Sequence, residues 1–139
     1  MRCLVDTCVV SESVRARPDP KVLAWLGEQQ EADLYLSVLT IGELVKGIAR
    51  LGESRRRAEL TAWFEEDLAR RFGARVLPVC AEVAALWGEL QARAELCGKK
   101  MPVVGGLIAA TALHHGLAVA TRNGSDMAAS GVGIVDPWL

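Results

Sequence analysis

The sequence predicts an α/β fold with three layers, α/β/α, around a central and mainly parallel sheet of about five strands. Short runs rich in Val, Leu and Ile recur at residues 3–6, 34–37, 75–79, 117–120 and 133–135. Longer stretches of helical period separate them, and parallel neighbours need such crossover connections. The 139 residues hold no repeat, low-complexity tract or linker. One domain over residues 1–139 is expected, burying about 70% of the surface of the unfolded chain.

The first run, Cys3-Leu4-Val5, ends in Asp6 and Thr7. A carboxylate directly after a buried strand suits the strand-to-helix turn where open α/β sheets hold ligands. The same pair also suits an N-cap, and position alone leaves both readings open. Asp19-Pro20 opens a helix carrying Val22, Leu23, Trp25 and Leu26, with Pro where its missing N–H costs nothing. From Thr40, Ile41, Leu44, Val45 and Ile48 recur at helical spacing. Further helices are expected over 53–72, over 81–96 with Val83, Leu86, Trp87 and Leu90 on one stripe, and over the Ala-rich stretch 107–115.

The net charge is −1, so the molecule as a whole does not attract nucleic acid electrostatically. Arginines nevertheless cluster in the first half, and Arg55-Arg56-Arg57 beside Glu53 and Glu59 reads first as a solvated helix face. The four cysteines lack metal-ligand spacing and read as small buried hydrophobes in a reducing compartment. No apolar stretch approaches the ~18 residues of a membrane span, so a soluble cytoplasmic protein, without membrane association, is expected.

In a parallel sheet the ligand crevice lies beyond the carboxyl ends of the strands. Asp6 follows the first strand, Glu43 lies soon after the second, and Thr121-Arg122-Asn123-Gly124-Ser125-Asp126 follows the fourth. Glu43 falls opposite the apolar stripe of its helix, which does not separate solvent from cleft. Asn123 and Asp126 sit in a setting of ordinary turn chemistry, where Asn-Gly tolerates positive φ and Asp126 can cap a short helix. Their common position at one sheet edge is what singles them out.

Several segments together carry a family resemblance: Leu4-Val5-Asp6-Thr7-Cys8-Val9-Val10-Ser11-Glu12, Leu36-Ser37-Val38-Leu39-Thr40-Ile41-Gly42-Glu43-Leu44 with Gly47-Ile48, Leu107-Ile108-Ala109-Ala110-Thr111-Ala112, Ala120-Thr121-Arg122-Asn123, and Asp136-Pro137-Trp138. Over nearly its whole length the chain resembles PIN-domain ribonucleases of the VapC toxin type, in a FitB-like branch. The resemblance implies a PIN-like fold and an endoribonuclease toxin of a type II toxin–antitoxin system, using Mg²⁺ or Mn²⁺ held by acidic residues. Hard divalent cations are the physical complement of clustered carboxylates. By motif match Asp6 is a principal metal ligand and catalytic residue, and Glu43 is the second acid. Either Asn123 or Asp126 completes the set, with Asp126 the ligand of first choice. Thr7, Thr121 and Arg122 are candidate substrate contacts. The resemblance further implies structured RNA such as tRNA as substrate, a VapB-like antitoxin as partner, and a homodimer; Trp25 and Trp63 read either as such surfaces or as core positions, and Trp87 as core.

The chain departs from the family pattern at one place. After Met101-Pro102-Val103-Val104 the family carries an Asp that supplies the third acid, whereas this chain has Gly105-Gly106. A flexible helix start is one reading of Gly105, and an Asp-to-Gly change that silences a toxic nuclease is another. A glycine-rich phosphate cradle is disfavoured, because no Lys-Ser/Thr or G-x-G-x-x-G pattern follows. The departure implies an attenuated or inactive ribonuclease; the alternative is a catalytically silent PIN-like domain that binds RNA or an antitoxin. An aspartyl-phosphate enzyme would carry a second Asp near Asp6, and none is present. His114-His115 read as a helix-terminal pair rather than a metal site.

Overall fold

The computed structural model describes residues Met1–Leu139, and its frame is a five-stranded parallel sheet. Strands β1 (Cys3–Val5), β2 (Leu34–Ser37), β3 (Val76–Leu77), β4 (Ala118–Ala120) and β5 (Ile134–Val135) lie in the order β3-β2-β1-β4-β5. All four pairings are parallel, with Leu4 opposite Tyr35 on one side and Val119 on the other. The connections therefore cross over the faces of the sheet. They carry α1 (Thr7–Glu12), α2 (Pro20–Glu28), α3 (Val38–Ala49), α4 (Arg55–Ala62), α5 (Ala69–Phe72), α6 (Ala81–Leu96) and α7 (Val103–His114).

Side chains of β1 alternate between the two faces, as a strand buried on both sides requires. Leu4 enters one core with Val119, Ile108, Ala109 and Val83, covered by α6 and α7. Cys3 and Val5 enter the other with Val9, Val22, Leu36, Leu44 and Phe72. Trp87 packs against the first core, and Trp25 and Trp63 pack half-buried against the second.

The boundaries differ from expectation where capping or packing overrides periodicity. Helix α3 begins at Val38, two residues before Thr40, because the Ser37 hydroxyl accepts the Leu39 N–H at 3.0 Å. Helix α7 begins at Val103 rather than Leu107, so Gly105 and Gly106 lie inside its first turns. The expected helix over 53–72 is α4 and α5 joined by a π-helical stretch, Trp63–Leu68. Strand β3 is shorter than the apolar run over 75–79. Val45 is 47% exposed, so the stripe of α3 is buried on one flank only, and Cys97 is exposed rather than a core residue.

The arginines largely serve the structure. Arg55 pairs with Glu59 one turn on at 3.2 Å, on an exposed helix face. Arg71 bridges to Glu31 at 2.7 Å, while Arg56 reaches the Val14 carbonyl. Glu12 is 2% exposed, yet it is satisfied: Oε1 meets Arg15 at 3.2 Å and Oε2 accepts the Asp19 N–H at 2.7 Å. That carboxylate ties the end of α1 to the cap of α2. No helix of the chain is long and apolar enough to cross a membrane.

Candidate active site

The chain builds outward from β1 in both directions, so the strand order reverses between β1 and β4. The crevice at such a switch point is where open parallel sheets take ligands. Asp6 stands at the end of β1 and Thr121 at the end of β4, and the Asp6 N–H donates to the Ala120 carbonyl at 2.9 Å. The sheet thus brings together residues more than a hundred positions apart.

Asp6 is both a cap and a cleft residue. Its Oδ1 accepts the Thr7 N–H at 2.8 Å at the start of α1, and its Oδ2 accepts the Thr121 hydroxyl at 2.7 Å. The fully buried Thr121 in turn accepts the Asn123 N–H at 3.0 Å, which turns the chain after β4. Glu43 lies in the second turn of α3. The Thr7 hydroxyl lies 2.7 Å from Glu43 Oε1 and 3.2 Å from the Thr40 hydroxyl. Thr7 therefore holds both acids, Asp6 through its backbone and Glu43 through its side chain.

These carboxylates line a cleft of about 200 Å³ together with Asn123, Asp126, Pro102, Val104, Gly105, Ile108 and Met127. Neither expectation from turn chemistry holds: Asn123 has a φ of −100° and Gly124 is not in the positive-φ region, and the 3₁₀ stretch Gly124–Ser130 has no side-chain cap. Asp126 is linked back to Asn123 by its backbone N–H at 3.0 Å, and its side chain is exposed at the cleft. Three carboxylates thus share the cleft, although they do not form a closed group of three acidic or imidazole ligands ready to hold a metal.

The two glycines of α7 differ in kind. A Cβ on Gly106 would lie 2.9 Å from Trp87 Nε1, so the close approach of α7 to α6 demands glycine there. A Cβ on Gly105 would meet nothing nearer than Asp126 Cβ at 3.9 Å and Pro102 Cβ at 4.0 Å. Neither glycine has positive φ. Packing and backbone conformation therefore leave Gly105 unexplained, and it opens onto the acidic cleft. The helical backbone there also excludes a loop-type phosphate cradle.

Sequence reasoning gave Cys8 and Trp138 no place in the site beyond their membership of the matching segments. The Cys8 thiol lies 3.8 Å from Asp6 Oδ2 and 3.6 Å from the Thr121 hydroxyl. Burial pushes this thiol up, opposed by the Arg122 backbone N–H and the Thr121 hydroxyl, with the Asp6 charge adding to the rise. Cys8 directly follows Asp6-Thr7, and that adjacency was the available signal. The Arg122 guanidinium lies over the Trp138 ring, 4.3 Å from its centroid, and no sequence spacing announces that pair. Elsewhere, His114 and His115 meet edge to face at 5.0 Å and belong to no metal-binding group.

A second hollow, about 360 Å³, shares Glu43 with the cleft and is also lined by Thr7. It continues between α1, α3 and α4 over Val14, Leu44, Ile48, Leu51, Leu60 and Trp63, with Arg15 and Arg56 among its other lining residues.

A parallel α/β/α sheet with acids gathered at its switch point defines the class: the chain belongs to the PIN domain family, whose model matches residues 3–129. Within that family it is similar to Toxin FitB of Neisseria gonorrhoeae, 37% identical over 135 residues and 97% of each chain. It is also similar to VapC ribonuclease Y4jK of Sinorhizobium fredii, 38% identical over 97% of this chain and 96% of that one. The crystal structure of FitAcB from Neisseria gonorrhoeae superposes with a TM-score of 0.94, at 37% identity over 98% of both chains.

Proposed function

We propose that this chain is a PIN-domain toxin of the VapC type, a metal-dependent endoribonuclease in a toxin–antitoxin system, attenuated because Gly105 leaves its acid set one carboxylate short. The observation that carries the reading is the cleft itself, where Asp6, Glu43 and Asp126 meet at the switch point and Gly105 leaves room for a further side chain. The family relationship to a toxin and a ribonuclease supports the activity class.

The donor chemistry fits a hard divalent cation. Carboxylate oxygens are the ligands that Mg²⁺ and Mn²⁺ take, and Asp6 and Glu43 keep lone pairs beyond their bonds to threonine. Asp6, Glu43 and Asp126 would hold the ion, which when bound supplies charge neutralisation at the phosphate and lowers the pKa of an attacking water. Thr7 and Thr121 fix the orientation of the acids, Asn123 presents an amide to the same cleft, and Arg122 contacts RNA phosphate. We take the cytoplasm, structured RNA such as tRNA, and a homodimer as the accompanying setting.

The partner that this reading requires is an antitoxin. The apolar hollow that meets the cleft at Glu43 suits a peptide whose apolar side chains lie along α1, α3 and α4 while a cation reaches the carboxylates. A second reading, a silent domain that binds RNA or antitoxin without cutting, is favoured by the lack of a closed three-ligand group.

Cleavage of a mixed RNA substrate in Mn²⁺, with manganese binding followed by calorimetry, separates the two. Slow cleavage by the unaltered chain is expected, with Gly105→Asp at least about tenfold faster and binding Mn²⁺ more tightly. Equal, robust cleavage by both chains overturns the attenuation. No cleavage by either, with RNA still bound, establishes the silent reading.

A further inference from the structure

An acidic cleft repels the RNA backbone, so a nuclease built on one needs a cation that the carboxylates do not neutralise. Arg122 meets that need. It directly follows Thr121, whose hydroxyl holds Asp6, and directly precedes Asn123, which lines the cleft. It is exposed and makes no ion pair, unlike Arg15, Arg55, Arg71 and Arg75. What holds it is the Trp138 ring, 4.3 Å from the guanidinium carbon.

Trp138 is itself anchored. Its backbone N–H donates to Asp136 Oδ1 at 2.9 Å, and its ring packs half-buried against the core shared by Val5, Val9 and Ala120. The preceding strand is tied to the same rim, since the Thr121 N–H donates to the Val135 carbonyl at 2.9 Å. Stacking on an aromatic ring occupies the face of a guanidinium and leaves its in-plane N–H fork unspent. An arginine paired with a carboxylate would be oriented but discharged, whereas one paired with an indole is oriented with its charge intact. That fork matches two oxygens of a phosphate.

We propose that the Arg122–Trp138 stack is the phosphate-binding device of the cleft, in which Arg122 contacts the RNA backbone and Trp138 is a positioning residue that holds the guanidinium at the rim. The inference rests on the ribonuclease reading above, and it adds a residue whose only path to substrate is through Arg122.

The test is binding of a short, fluorescein-labelled single-stranded RNA of mixed sequence, read by anisotropy over a range of salt with EDTA present to prevent cleavage. Arg122→Gln is expected to weaken binding about tenfold, the worth of one charge-assisted contact. It should also lower the slope of log Kd against log salt by about 0.7, the share of one phosphate. Arg122→Lys should keep the slope and recover only part of the affinity. Trp138→Leu should weaken binding less than Arg122→Gln, and should add nothing in the Arg122→Gln background. An unchanged slope in Arg122→Gln, or additive losses in the double variant, overturns the proposal. Either result leaves the ribonuclease reading standing, because that is judged by cleavage in Mn²⁺ by the unaltered chain. Absence of both cleavage and RNA binding in the unaltered chain overturns both.

Discussion

Gly105 and Gly106 are adjacent and chemically identical, yet their surroundings predict opposite responses to the same methyl group. At Gly106 the added Cβ meets a rigid indole at 2.9 Å, so Gly106→Ala should destabilise by about 1–3 kcal/mol despite the better helix propensity of Ala. At Gly105 the added Cβ makes only ordinary van der Waals contact, and Gly105→Ala should stabilise by up to about 1 kcal/mol. Urea unfolding of the two variants checks both signs in one experiment, and matching signs would contradict the packing argument. Thr121→Val removes a buried hydroxyl that donates to Asp6 at 2.7 Å. A loss of about 1–2 kcal/mol is expected by the same measurement, together with reduced cleavage, since Asp6 Oδ2 is no longer held.

Among the elements, the link between α6 and α7 is set by a side chain. Gln91 is buried on α6, and its amide makes two bonds to the backbone of Met101: Nε2 to the carbonyl at 2.8 Å and Oε1 from the N–H at 3.0 Å. This clasp fixes the residues that lead into Pro102, Val104 and Gly105, the wall of the cleft. Gln91→Leu should cost about 2–4 kcal/mol, because two buried backbone groups lose their partners, and hydrogen exchange at Met101 should accelerate. The strands and most helices were legible in the sequence because apolar runs and 3.6-residue stripes register burial directly. The first turns of α7 were not, since two glycines hide a helix from any propensity argument. Their retention has different causes, the Trp87 indole for Gly106 and no steric cause for Gly105. For the site, Asp6, Glu43, Asn123 and Asp126 could be read from their places after strands. Trp138 could not be matched to Arg122, because their meeting depends on the return of the chain through β5 and the turn after it.

For the molecule as a whole, buried and half-buried titrating groups limit stability at both ends of the pH range. Burial pushes the Cys3 thiol above its ordinary value of 9.0, with the nearby N-terminal charge opposing. A group raised on folding contributes stability that is present below the unfolded value and lost as pH rises through the folded one. His115 is lowered from 6.5, mainly by burial and then by the charges of His114 and Arg2, so its contribution is lost as pH falls below that value. Thermal unfolding should therefore show a plateau between about pH 7 and 9 with declines on either side. Cys3→Ser should flatten the alkaline decline and His115→Gln part of the acid one. Unchanged profiles in both variants would assign the slopes to other groups.

One threonine joins the two halves of the candidate site. Because Thr7 contacts Asp6 through its amide and Glu43 through its hydroxyl, the separation of the two acids is gauged by a single residue rather than by the summed tolerances of strand, loop and helix. A displacement of α3 away from α1 breaks the contacts of the Thr7 hydroxyl with both Glu43 and Thr40. On the function proposed above, Thr7 is thus a break point of the candidate site: a ligand that moved α3 outward would release Glu43 from Thr7 while leaving the Asp6–Thr7 bond in place.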